Sequence, residues 1–217
     1  MRRIPSLASS NATRLNIERC SLFAHEARNG QTNETVNQQP MKRPSPILSA
    51  AEAALLVEAK KSTVRPMEWV PKKSVSNPQW LEFVSVCKIR SEIREDLFFR
   101  SQFRASRTEV FGDARIEYAA IYNAAVTAGG ERILALDADG TPHTNKVGQG
   151  LRWHKKTLRG RYHLHRWCDE GYGYAEPVDR DLHDIELLVD HFLGVANLAL
   201  TDGFKHPLTG AQLTLPI

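Results

Sequence analysis

The chain has 217 residues, of which 41% are hydrophobic and 25% charged, a size that fits one domain with an appendage and supplies enough apolar side chains for a core. No apolar run has the length a membrane-crossing helix needs, and Cys20, Cys87 and Cys168 are widely spaced with no Cys-x-x-Cys pair, which argues against a disulfide framework or a zinc knuckle and for reduced thiols in a cytoplasm. A net charge of +4 with an isoelectric point near 9.0 favours acidic partners or nucleic acid through long-range attraction.

Residues 1–45 are rich in Ser, Asn, Thr, Gln and Arg and carry no sustained hydrophobic period, so they read as a disordered tail, with Met41 as a second candidate start. The folded domain is expected over 46–204. Ser49 and Glu52 have the spacing of a capping box, which predicts a helix to about Lys61 with Leu55, Leu56 and Ala59 toward the core. Pro66, Pro71 and Pro78 then mark an extended linker.

From Trp80 the pattern changes to period two. Leu81, Phe83, Ser85, Cys87 and Ile89 alternate with more polar neighbours, and Leu97, Phe99, Ser101 and Phe103 do the same, so a hairpin turning through Ser91–Asp96 is expected. Ala114–Thr127 reads as one strand, its alanines also tolerating a helix, and Gly129-Gly130 turns it back along Glu131–Asp137. His143–Arg161 is glycine-spaced and basic, a long loop or irregular hairpin, after which Arg161–Cys168 returns as a strand. Gly171 to Tyr174 and Pro177 suggest a rigid loop before a final helix over Asp179–Leu200, with Leu182, Ile185, Val189, Phe192, Val195 and Ala196 as its apolar stripe. The expected class is α+β: a curved antiparallel sheet with an N-terminal helix and a longer C-terminal one.

Histidines are the one concentration that points to chemistry: His143, His154, His163 and His165, with Asp137, Asp139, Glu170 and Glu176 close in sequence. On a strand, His163 and His165 share a face and Glu170 follows, which resembles part of the cupin metal pattern and makes these three weak metal-ligand candidates. The rest of that pattern, including the spacing of Gly160 and a second histidine-bearing motif, is missing, so neither a metal nor another cofactor is expected. A histidine and a cation placed about a phosphate can cleave RNA without metal, and Lys146, Arg152, Lys155, Lys156 and Arg159 accompany these histidines. The segment is loosely similar to the histidine-bearing sheets of small bacterial toxins such as the TumE family. No serine elbow or phosphate-cradling glycine loop is present, so an enzyme is the secondary expectation. Basic and aromatic residues interleave over Arg90–Arg107 and Arg152–Arg166, a composition that suits nucleic acid as a partner.

The end of the chain differs from the rest. Gly210 and Ala211 form a flexible root for Gln212, Leu213, Thr214, Leu215, Pro216 and Ile217, where the glutamine offers an amide, the leucines and isoleucine offer apolar anchors, and the proline pre-sets an extended backbone. Residues 205–217 are therefore expected to be a binding peptide. It resembles the short peptide by which bacterial replication and repair proteins dock on the β sliding clamp of DNA polymerase III. A small basic chain carrying it resembles the SocB-like replication-inhibitor toxins. That likeness implies a toxin that competes with other clamp clients, with an antitoxin or a protease adaptor as a further partner.

Overall fold

The computed structural model describes residues 48–73 and 76–209. The expected tail 1–45 and the peptide Gln212–Ile217 lie outside the described residues.

The capping box forms as expected. Glu52 N–H donates to Ser49 Oγ at 3.2 Å and Ser49 N–H to Glu52 Oε2 at 2.8 Å, which satisfies two amides at the start of α1 (Ala50–Glu58). The helix buries Ala53 and packs Leu56 and Val57 against the core, whereas Leu55, expected inside, is 67% exposed. Ala53, Leu56 and Val57 thus form the inward stripe in place of Leu55.

The supposed proline linker contains two strands, β1 (Lys61–Pro66) and β2 (Val70–Pro71), each ending on its proline, where a missing N–H costs no interior ladder bond. β3 (Trp80–Ile89) and β4 (Glu92–Arg104) make the expected hairpin, but it turns at Arg90-Ser91 and β4 starts earlier. The run Ala114–Thr127 is not one strand. Gly112, with φ of 60°, closes β5 (Arg107–Phe111) onto β6 (Ala114–Tyr118) as a separate ribbon, and the chain rejoins the main sheet as β7 (Ile121–Ala128).

β8 (Glu131–Ala138) follows the Gly129-Gly130 turn, and the basic segment is an irregular hairpin closed by β9 (His143–Thr144) and β10 (Thr157–Leu158). After β11 (Tyr162–Cys168) comes a correction: residues 171–177 form strand β12 (Gly171–Pro177), paired antiparallel to β11, rather than a loop. The final helix, α2, covers only Ile185–Val195, because Asp184 caps it by accepting Leu187 N–H at 2.8 Å, and a left-handed Asn197 (φ 48°) ends it and starts β13 (Leu198–Thr201).

Among the described residues the main sheet has nine strands, in the order β12-β11-β8-β7-β4-β3-β1-β13 with β2 beside β3. Its pairs are antiparallel except β1 with β13. Register defines two faces. One carries the buried row Phe83, Ser101, Ala124, Leu136 and Leu164, one residue from each of five neighbouring strands. Ile185, Leu188, Val189 and Phe192 of α2 complete this core, Phe192 lying 6.1 Å from Phe99 and Phe99 6.0 Å from Phe83. Truncating the central ring, Phe99→Ala, is expected to cost about 3 to 5 kcal/mol of unfolding free energy. Leu55→Ser should change it by less than about 0.5 kcal/mol, both read from urea midpoints.

Candidate histidine site on the helix-free face

The opposite face of the same strands is polar. Glu82 of β3 pairs with Gln102 of β4, Gln102 with Asn123 of β7, Asn123 with Asp137 of β8, and Asp137 with His163 of β11, giving one lateral row across five strands. Side chains link its first half: Gln102 Nε2 donates to Glu82 Oε2 at 3.3 Å and Asn123 Nδ2 to Gln102 Oε1 at 3.4 Å, while Arg100 holds Glu82 at 2.6 Å. Charge-assisted bonds from Arg100, together with Gln102, keep the Glu82 carboxyl below its usual range although burial opposes this.

The row ends in a histidine cluster. His165, one pleat along β11 from His163, places Nε2 3.3 Å from Asp137 Oδ2 and stacks on Tyr172 at 5.5 Å. His143, from the start of the irregular hairpin, meets His165 edge-on at 4.7 Å and lies 6.3 Å from His163. Arg132 donates to Tyr172 Oη at 3.3 Å and sits over that ring. Residues twenty or more apart in sequence therefore converge.

Two contacts fix one tautomer. His143 Nε2 lies 2.9 Å from Gly173 O and 3.1 Å from Asn145 Oδ1. The orientation of the Asn145 amide is set by its own bonds, Nδ2 donating to Trp153 O and Ala175 O and Oδ1 accepting from Ala175 N. Both partners of His143 Nε2 are thus acceptors, so Nε2 carries the proton and Nδ1 is the basic position of the neutral ring. For His165 the neighbouring carboxylate favours Nε2–H and leaves Nδ1 as a lone pair. His165 Nδ1 and His163 Nε2 are both buried without a hydrogen-bond partner among the described residues, which are only 6% and 1% exposed.

Burial governs the protonation of this cluster. It lifts Asp137 to about 6 despite Arg132, and it lowers His165 to about 4, the neighbouring His143 and His163 adding to the shift. His163 is lowered by burial as well. At neutral pH the Asp137–His165 pair therefore holds one negative charge and an uncharged imidazole, the state in which a carboxylate orients a histidine for proton transfer.

The other sequence candidates go elsewhere. Glu170, proposed with His163 and His165 as a ligand, instead accepts the backbone N–H groups of Gly148 and Gln149 at 3.1 and 3.0 Å, which hold its carboxyl below the usual range. His154 Nδ1 faces Val147 O at 3.0 Å, and Glu176 pairs with Arg166 at 3.2 Å. Among the described residues no three His, Cys, Asp or Glu side chains are arranged to hold a metal ion. The sequence does not single out Asn145, Tyr172, Arg132 or the row Glu82, Gln102 and Asn123: strand parity places the row on one face, but Asn145 lies outside the strands and Arg132 reaches this face through the register shift at Val126-Thr127.

Comparison of the chain with protein-family models, with characterised proteins and with solved structures finds no match.

The two shifts at the pair have opposite signs. The depressed His165 contributes stability that is present above pH 6.5 and lost as pH falls through about 4, whereas the raised Asp137 contributes stability present below pH 3.8 and lost as pH rises through about 6. Urea midpoints between pH 4 and 6.5 should accordingly diverge. Relative to the native chain, His165→Gln loses stability as pH rises, and Asp137→Asn gains it.

Proposed function

We propose that the chain is a client of the bacterial β sliding clamp that docks through Gln212–Ile217, displaces other clamp-binding proteins and so inhibits DNA replication, as the toxin of a toxin-antitoxin pair acting in the cytoplasm. One observation carries the reading: Gln212 is followed by Leu213, Thr214, Leu215, Pro216 and Ile217 in the order that clamp-docking peptides use. Gln212 sets the register, and Leu213, Leu215 and Ile217 enter the clamp's apolar pocket, with Pro216 limiting the entropy lost on docking. A peptide of this size binds modestly, so occupancy gains from additional contacts by the folded body.

Lys205 and His206, at the start of the expected binding segment, are held to the folded body. Trp69 Nε1 donates to Lys205 O at 2.7 Å, and His206 packs edge-on against Phe103 at 6.1 Å. Among the described residues no helix is long and apolar enough to cross a membrane.

A second reading is favoured by the convergence of His143, His163 and His165: acid-base cleavage of RNA by this cluster. The two readings separate experimentally. Binding of the purified chain to immobilised clamp should weaken at least tenfold in Gln212→Ala combined with Leu215→Ala, and unchanged affinity would remove the peptide from the mechanism. RNA-cleaving activity, by contrast, should disappear in His143→Ala and His165→Ala variants that retain clamp binding, and an RNA substrate left intact by the native chain rejects the second reading.

A further inference from the structure

A cavity of about 210 Å³ at the far end of the sheet is lined by Lys60, Lys61, Ser62, Lys88, Arg90 and Ala199, four cations and a hydroxyl-bearing residue with no carboxylate. Strand register explains the gathering. Ser62 of β1 stands between Lys88 of β3 and Ala199 of β13, and Arg90 and Lys60 follow at the ends of β3 and α1. Among the described residues, none of the four cations has an ion-pair partner.

Arg90 holds the first position of the two-residue β3–β4 turn, and its left-handed backbone (φ 58°) is the one such a turn takes. The carboxyl ends of both helices, which would repel an anion, are covered: the Lys61 ammonium donates to Val57 O at 2.8 Å and to Ala196 O. Lys60, Lys88 and Arg90 are thereby left as the charges available to a ligand.

A separate, larger cavity of about 730 Å³ lies on the helix side of the same border, lined by Arg180, Asp190 and His191 among others. Arg180 Nη1 lies 3.1 Å from His191 Nδ1, and since a guanidinium only donates, Nδ1 accepts and the imidazole proton is on Nε2.

We propose that the small cavity receives a phosphate group, held by Lys60, Lys88 and Arg90. A free nucleotide and a nucleic-acid strand present this same group. The site is independent of the clamp peptide.

The test uses the full-length protein with three ligands: inorganic phosphate, a mononucleotide, and a fluorescein-labelled single-stranded oligonucleotide, followed by calorimetry and by anisotropy at increasing salt. Saturable binding is expected, weakened at least tenfold in Lys88→Glu and Arg90→Glu and unaffected by Lys155→Glu. Comparable affinity for the mononucleotide identifies a free nucleotide as the source. Binding of the oligonucleotide alone, with a salt dependence that becomes shallower in the variants, identifies a nucleic-acid strand. Lys88 and Arg90 are at least partly exposed, and circular dichroism confirms that the variants fold. The proposal is overturned if none of the ligands binds, or if Lys155→Glu weakens binding as much as the other two.

Discussion

The arrangement turns on one buried ammonium. Lys61 is only 2% exposed, and a charge so far from water must find strong acceptors. It finds carbonyls at the carboxyl ends of both helices, Val57 O for α1 and Ala196 O after α2, where aligned peptide dipoles favour a cation. Burial nonetheless lowers its pKa to about 8. Asn197 reinforces the knot, its amide donating to Glu58 O at 2.7 Å while its carbonyl accepts Lys61 N–H at 3.1 Å. The same few residues thus end two helices, begin β1 and β13, and place those strands side by side in parallel.

With both helices committed to one face, the other is left to polar side chains. A half-buried polar row is costly unless its members bond to one another, and Glu82, Gln102 and Asn123 do so in sequence across three strands. That satisfaction stops at the histidines, where two buried ring nitrogens have no partner among the described residues. Arg100 Nε, at the Glu82 end, is likewise buried without a partner among the described residues, so what sets the His163–His165 region apart is the meeting of three imidazoles with the Asp137 carboxylate.

Much of this fold can be read from the chain because its strongest signals are local. The Ser49–Glu52 cap, the alternation in β3 and β4, and the apolar stripe from Leu182 to Ala196 each depend on neighbours within a few residues. The errors share one cause. β12 alternates two glycines, which mask the strand preference of Tyr172 and Tyr174, so its strand character is fixed by pairing with β11 and by side chains of the irregular hairpin. Likewise β13 is held by β1, more than a hundred residues earlier, a pairing the apolar stripe does not reveal, so the stripe alone extends the last helix past Asn197. The histidine cluster was half legible: His163 and His165 share a face by period alone, but His143 reaches them through tertiary contacts, and the same contacts send Glu170 to the amides of Gly148 and Gln149.

Asn145 has an effect beyond orienting His143. A margin strand such as β12 normally exposes a free amide and carbonyl to any extended polypeptide that drifts past. Here the Asn145 carboxamide meets both groups of Ala175, at 2.7 and 2.8 Å, and imitates the next strand of a sheet with a single side chain. Growth of the sheet by strand addition is thereby blocked along that stretch of the β12 border, leaving the four-residue β13 as the opposite border.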